Sequence, residues 1–329
     1  MEIILADNKM MELGVLRCGT LDIDIGGSND FELIISRNDS NEKNLSYGVF
    51  FFTPGTEYIG ILEKRKSTTS SGSYTWDGLT ARGLLTRSVI EPPIGSAYMT
   101  VSGDANLILK ELLTNRFGGI FTVPEYLSDI NIKTYQFARY VSVLDGVKAM
   151  LATQNARLYI HAERGGSNES FNIFIEAVPV NDYSEEIEYS QNNKLTLTIE
   201  DSRMGINHLI CLGKGELTER TVIHLYVQED GSIGSKKYYT GLNERTLVYD
   251  YSSAENADAL TSAGIKKLKE LANYKKMKLE ASGVDLQLGD IISGRDRESG
   301  DTLSKPIIQK IVKINGTSES IEYKVEGES

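Results

Sequence analysis

The first ninety residues are cut into short runs of alternating apolar and polar side chains, and this pattern restricts the fold more than any other feature. "EIILAD", "TLDIDIG", "FELIIS", "YGVFFFT", "YIGILEK" and "SYTWDG" are rich in Ile, Tyr, Phe and Thr. Clusters of Gly, Asn, Asp and Ser, such as "GGSND" and "RNDSNEKN", separate them. A period of two puts one face of each run in a core and the other in water, as a strand requires. Regularly spaced short strands predict an antiparallel barrel or sandwich. Pro92-Pro93 closes the unit, because proline neither donates to a ladder nor continues a helix. The first β domain is therefore expected at residues 1–95.

Residues 96–192 have another character. In "DANLILKELLTNRFGG" the apolar positions 105, 108, 109, 112 and 113 have helical spacing, with Asp104 as expected N-cap and Gly118 as expected stop. "SVLDGVKAMLATQNA" predicts a second helix, capped by Ser142, with Val143, Val147, Met150 and Leu151 on one face. "LYIHAE", the turn "RGGSNES" and "FNIFIEAV" follow as a hairpin, so an α/β domain is expected here. Strands return in "KLTLTIEDS", "NHLICLGKG" and "RTVIHLYVQ". A helix over 254–276, within an insert at 251–278, has Ser252 and Glu255 in capping-box spacing. Its lysines 266, 267, 269, 275 and 276 crowd the last turns, where the helix dipole favours cations, and read as a solvated face. "MKLEAS", "GDIISGRD", "KPIIQKIVKI" and "SIEYKVEG" finish as strands.

Two stretches repeat one succession. "YIGILEKRKSTTSSGSYTWDG" (58–78) and "PIIQKIVKINGTSESIEYKVEG" (306–327) each run from an apolar strand that turns basic, through a Ser/Thr/Gly turn, to a strand. Both strands end on aromatic, polar, large apolar, acid, glycine. The fold class expected is α+β, multi-domain and β-rich, with two similar β units: 1–95, and 193–250 with 279–329. Trp76 and Val325 would then hold equivalent strand positions. Trp76, between Thr75 and Asp77, should face the core, with Leu79 and a helix over 81–87 covering the end of that unit.

The 329 residues suit two or three domains. The net charge of −11 argues against a nucleic-acid surface, which needs clustered Lys and Arg. No apolar run approaches the roughly 20 residues of a membrane helix. "MEIILADNKM" has neither a basic n-region nor a cleavage site, so no signal peptide is expected. Cys18 and Cys211 read as buried free thiols in a protein made in a reducing cytosol.

Chemistry has no evident carrier. His161, His208 and His224 lack partners at metal-ligand spacing, and His161 and His224 read as structural strand positions. Gly213 and Gly215 in "LGKGELTER" precede a strand rather than a helix, so they form a turn and not a dinucleotide site. "GRDRESGDT" (294–302) lacks the spaced oxygen ligands and closing glutamate of a calcium loop and reads as a hairpin turn. There is no G-x-S-x-G elbow and no P-loop, and nothing marks a pair among the 46 acidic residues. No catalytic, cofactor-binding or metal-binding residue is assigned, no cofactor is expected, and the chain reads as a non-enzyme.

"YTWDGLTARGLLTRSVIEPP" (74–93) resembles the segment of phage tail hub proteins in which a strand leads into a "G-x-x-L-L-x-R-x-I-x-P-P" turn. "NHLICLGKGELTERTVIHLYV" and "LGDIISGRDRESGDTLSKPIIQKIVKINGTSESIEYKVEG" are also similar to stretches of that family. The likeness is best to baseplate hubs of contractile tails, of defective prophage particles and of tail-like bacteriocins of Gram-positive bacteria. It implies two β-barrels like the tail tube subunit, with an α/β portion between them. It implies a homotrimeric ring joining the six-fold tube to a three-fold spike in the baseplate of a virion or tail-like particle assembled in the bacterial cytoplasm. The partners implied are the tube protein, the tube initiator, the central spike, other baseplate proteins and a tape-measure protein. No membrane insertion and no specific nucleic-acid binding are implied. The chain ends at Ser329, soon after the second β unit, so no fused spike, β-helix or peptidoglycan hydrolase is expected. The alternatives are the N-terminal hub portion of a flexible-tailed phage's tail-associated protein, a cell-wall glycan hydrolase, or a carbohydrate-binding adaptor exposing some of the 17 tyrosines.

Overall fold

The computed structural model describes residues 2–16, 19–37, 42–68, 70–165, 170–184, 195–201, 205–229, 231–254, 256–272, 275–281, 286–295, 302–316 and 318–325. The chain divides into two units: residues 1–196 with 279–326, and 197–278 with 327–329. Cys18 lies outside the described residues, as does the tip of the 294–302 turn.

In the first unit the chain runs β1 (Ile3–Ala6), β2 (Glu12–Leu16), β3 (Thr20–Ile25), β4 (Asp30–Ser36), β5 (Phe50–Phe52), β6 (Ile59–Ile61), β7 (Lys64–Ser67), β8 (Ser73–Leu79) and α1 (Ala81–Leu84). It continues through β9 (Thr100–Asp104), α2 (Ala105–Leu113), β10 (Phe121–Thr122), β11 (Asn131–Gln136), α3 (Val143–Ala152), β12 (Ala156–Arg164) and β13 (Phe171–Pro179). Strand β14 (Leu195–Asp201) leads into the second unit, which holds β15 (His208–Leu212), β16 (Val222–Val227), β17 (Ile233–Gly234), β18 (Thr246–Asp250) and α4 (Ala257–Leu271). Strand β19 (Lys275–Ala281) leads back, followed by β20 (Ile291–Arg295), β21 (Thr302–Asn315) and β22 (Ser318–Val325).

The central strands β1 and β5 of a small antiparallel sheet, ordered β2-β1-β5-β6, are buried on both faces. All four residues of β1 and all three of β5 are buried, which accounts for the unbroken "IILA" and "FFF" runs. One face, with Ile4, Phe50, Phe52 and Ile59, packs toward α1, α2, α3 and the β12–β13 hairpin. Phe52 stacks on Phe171 there at 4.0 Å. The other face, with Ile3, Leu5 and Phe51, packs on the apolar side of the large sheet, among Leu21, Ile23, Leu33, Trp76, Val312 and Ile314.

The strands of the large sheet lie in the order β14-β19-β22-β21-β3-β4-β8-β7, with β20 on β21. The late strand β21 thus pairs antiparallel with the early strand β3. The order contains a repeat. Taken along the chain, β3, β4, β7 and β8 lie 1-2-4-3, and β14, β19, β21 and β22 lie 1-2-4-3 as well. Trp76 and Val325 are both on the fourth strand of their set.

The local signals behave as their chemistry requires. Asp104 caps α2, accepting from the Asn106 and Leu107 amides, and Ser142 caps α3, accepting from the Asp145 amide at 3.0 Å. Four expectations need correction. Helix α2 ends at Leu113, and Gly118 sits in the following turn with φ 64°. Gly78, the glycine on which the repeated pattern ends its strand, lies inside β8, where a Cβ would stand 1.9 Å from the Ile61 carbonyl oxygen, so only glycine allows β8 so close to β6. Leu79 and the helical residues 81–85 pack with the helices rather than over Trp76, because the chain crosses to the other side of the small sheet. Helix α4 runs only from Ala257 to Leu271 and is capped by Asn256, whose Oδ1 accepts from the Ala259 amide at 2.8 Å; Lys275 and Lys276 fall in β19.

In the second unit the sheet order is β17-β16-β15-β18, with β15 and β18 parallel. Helix α4 covers one face, packing Leu260, Gly264 and Leu268 on Leu209, Cys211, Leu225 and Val227. Cys211 is fully buried, and burial pushes its thiol up from the ordinary range. A Cβ on Gly264 would stand 2.5 Å from Cys211 Sγ and 2.7 Å from Leu225 Cδ1. Gly264→Ala gains about 1 kcal/mol of helix propensity but overpacks this contact, and the net destabilisation expected is about 1–2 kcal/mol. Chemical denaturation followed by far-ultraviolet circular dichroism checks this; a stabilised variant would show that α4 shifts away from the sheet without penalty.

Candidate functional site

The polar face of the large sheet is organised by its register. Opposite residues share a face, so one row runs across six strands: Ser320, Lys313, Asp22, Glu32, Asp77, Lys64. Beside it lies a second row of Ser318, Asn315, Thr20, Ile34, Thr75 and Lys66. Three carboxylates thus stand directly side by side, an arrangement that costs stability in a sheet. Lysines bracket them. Lys313 Nζ lies 3.7 Å from Asp22, and Lys64 Nζ 3.3 Å from Asp77. Both lysines are well exposed, so these pairs are weak. Glu32, between them, has no ion-pair partner among the described residues.

The β3–β4 turn adds acid at one end of the face. Asp24 accepts from the Gly27 amide (3.0 Å), from the Ser28 amide and hydroxyl, and from Gln309 Nε2 (2.7 Å). These contacts tie the turn to β21. Beyond β8, Arg87 Nη2 donates to Glu63 at 2.5 Å. Asp22, Asp24, Asp30, Glu32, Glu63 and Asp77, with Lys64, Lys66 and Arg87, line an open concavity of about 750 Å³ over Phe31, Gly78 and Leu79, six carboxylates against three bases. The face is therefore negative at its centre, with positive charge at its β7 border. Glycosidase chemistry wants one carboxyl in a dry pocket, and these stand on an open face. Among the described residues no group of three or more His, Cys, Asp or Glu is placed to hold a metal ion.

One histidine stands apart and two meet. His161 stacks between Tyr159 (4.8 Å) and Phe174 (5.4 Å) on the β12–β13 hairpin. His208 and His224, sixteen positions apart, meet on β15 and β16, with His208 Nε2 at 2.9 Å from His224 Nδ1. Neither neighbour in sequence signals this meeting; only the register of the two strands creates it. Gly213 and Gly215 lead through a short turn into β16, as expected of a turn.

The layered arrangement has a known counterpart. The 43 kDa tail protein of prophage MuSo2 from Shewanella oneidensis aligns with TM-score 0.54 and 9% identity, over 99% of this chain and 98% of that one. The chain has the fold of a phage tail protein. Prophage tail protein gp18 from Listeria monocytogenes EGD-e aligns with TM-score 0.49 and 13% identity, over 100% of this chain and 96% of that one. The tail protein of Neisseria meningitidis MC58 aligns with TM-score 0.47 and 13% identity, over 98% and 95%. No family model matches the sequence, and no curated protein does.

Proposed function

We propose that the protein is a non-enzymatic baseplate hub of a contractile phage tail or tail-like particle. Three copies form a ring that adapts the six-fold tail tube to a three-fold spike. In this reading residues 1–95, and 193–250 with 279–329, are two tube-like barrel domains, with 96–192 between them and the helix within 251–278 inserted. The observation that carries the reading is the repeated 1-2-4-3 strand order in one sheet. Two like sets per chain, times three chains, offer six similar positions to a tube of six subunits.

The sheet's ends suit such a ring. Its border strand β7, Lys64–Ser67, is exposed at every residue, and a bare strand edge invites another chain. Pairing between copies would protect that edge and leave the acidic face lining the hole. An acidic lining repels phosphates, so DNA or a tape-measure chain passes without being held. The tube protein, tube initiator, spike and other baseplate proteins are the partners, and the baseplate is the location after assembly in the bacterial cytoplasm.

The test is electron microscopy of the full chain mixed with its tube protein. Rings of three copies with residues 22, 32 and 77 on the hole are expected; rings of two or six copies overturn the trimer. Lys64→Glu with Lys66→Glu is expected to leave the monomer folded and abolish the rings, and rings formed unchanged by this variant would remove β7 from the interface.

A further inference from the structure

The second unit holds a cluster of shared protons on the sheet face opposite α4. His208 Nδ1 lies 2.9 Å from Glu244 Oε1 and 2.9 Å from Thr246 Oγ1, while its Nε2 meets His224 Nδ1 at 2.9 Å. The His208 and His224 ring centres are 5.2 Å apart, which with that nitrogen contact means the rings meet edge to edge. Tyr226 stacks on His208 at 4.4 Å. Lys237 Nζ lies 2.6 Å from Glu244 Oε2. Lys237 first, and then His208, hold the Glu244 carboxyl below the ordinary carboxylate range. Of the other charged groups on these strands and this segment, Asp250, further along β18, is held by Arg220 at 2.6 Å, Glu229 accepts from the Tyr238 hydroxyl, and Arg245, next to Glu244 in the chain, is engaged as well.

Proton counting follows from these contacts. Ionised Glu244 only accepts, so His208 Nδ1 carries a hydrogen. One hydrogen, and not two, fits between His208 Nε2 and His224 Nδ1. His224 Nε2 is the remaining nitrogen, and His224 is exposed to water. The intact pair therefore has room for one proton beyond its neutral state. A second would put two N–H groups nose to nose. The first proton turns both contacts of His208 into charge-assisted hydrogen bonds, with Glu244 on one side and His224 on the other.

The geometry points to a single-proton latch: in mild acid the His208–His224 pair takes up one proton, excludes a second, and by that uptake fastens the segment 236–245 to the sheet. The segment is anchored where this charge appears. Glu244 binds His208, and the adjoining backbone bonds to Asn207, with Asn207 Nδ2 donating to the Asn243 carbonyl at 2.7 Å and the Arg245 amide donating to Asn207 Oδ1 at 2.8 Å. The sign is that of a histidine gaining an anionic partner. The added hold is present at acid pH and lost as the pair gives up its proton.

The test uses the full chain labelled with ¹⁵N-histidine, whose only three histidines give resolvable ring signals. The pair is expected to bind its two protons in steps at least about one pH unit apart. Amide exchange at residues 243–246, corrected for its intrinsic pH dependence, is expected to slow by about tenfold across the first step, the equivalent of one unit of coupling. Glu244→Gln, which keeps an acceptor but no charge, is expected to weaken the first proton by about tenfold and to remove the pH dependence of exchange. Two histidines titrating independently overturn the latch, as does exchange unchanged across the first step. The wild-type proton count decides even if the variant fails to fold.

Discussion

Trp76→Ala is expected to lower the stability of the first unit by about 3–5 kcal/mol, the cost of deleting a large buried aromatic. Trp76 is 3% exposed and stands opposite Leu33 in the large sheet. Tyr47 meets its ring edge-on at 5.3 Å, and the Arg65 guanidinium lies 5.8 Å from its centre. The small sheet is buried on its other face too, so it has little freedom to move in and fill the void. Urea unfolding followed by circular dichroism measures the loss, since the variant removes the only tryptophan. An unshifted midpoint would mean that Trp76 is a surface platform and not an anchor of this core.

Glu57→Ala is expected to be as damaging, again by about 3–5 kcal/mol, for an electrostatic reason. Glu57 and Arg82 form a two-point ion pair at 2.5 and 2.9 Å, and Arg82 Nη2 also donates to the Leu158 carbonyl at 3.1 Å. Their side chains are 6% and 4% exposed. The pair joins the β5–β6 turn, α1 and β12, so it ties the small sheet to the helical layer. Removing the carboxylate leaves a guanidinium in a dry core with one carbonyl for company. Glu57→Leu with Arg82→Met removes both charges at similar volume and is expected to recover most of the loss. Equal losses in the single and double variants, measured in the same urea titration, would contradict this account.

The features legible in the sequence were those decided within a few residues. Asp104 and Ser142 cap their helices because each side chain bonds amides two or three positions ahead. Trp76 is buried because alternation along β8 decides its side of the sheet. Where two local candidates compete, the outcome is less readable: Asn256 caps α4 although Ser252 and Glu255 have the better-known spacing. "YGVFFFT" reads as a strand, but its burial on both faces depends on layers supplied by residues far along the chain. The hairpin likeness of 58–78 and 306–327 was visible, whereas the strand order that sets one beside the other is a matter of long-range pairing. The short strands β9, β11, β17 and β18 carry too weak an alternation to be legible. The acidic row has the same origin as the histidine pair. Asp22, Glu32 and Asp77 are scattered over fifty-odd positions, and only strand register lines them up.

The pairing of β21 with β3 has a consequence for synthesis. Asp24 and Gln309, which bond across that junction, are 285 positions apart. At about 5–20 residues per second a ribosome needs roughly 15–60 s to make the intervening chain. Through that interval β3 has emerged with one side unpaired, carrying Leu21, Ile23 and Ile25 beside an open ladder. Non-local closure of this kind is slow, and a waiting apolar edge is a template for the wrong partner, including the same edge on a neighbouring nascent chain. Translation stalled or cut short before residue 302 would therefore yield a product that is sticky rather than merely incomplete, with β3 as the strand through which it aggregates.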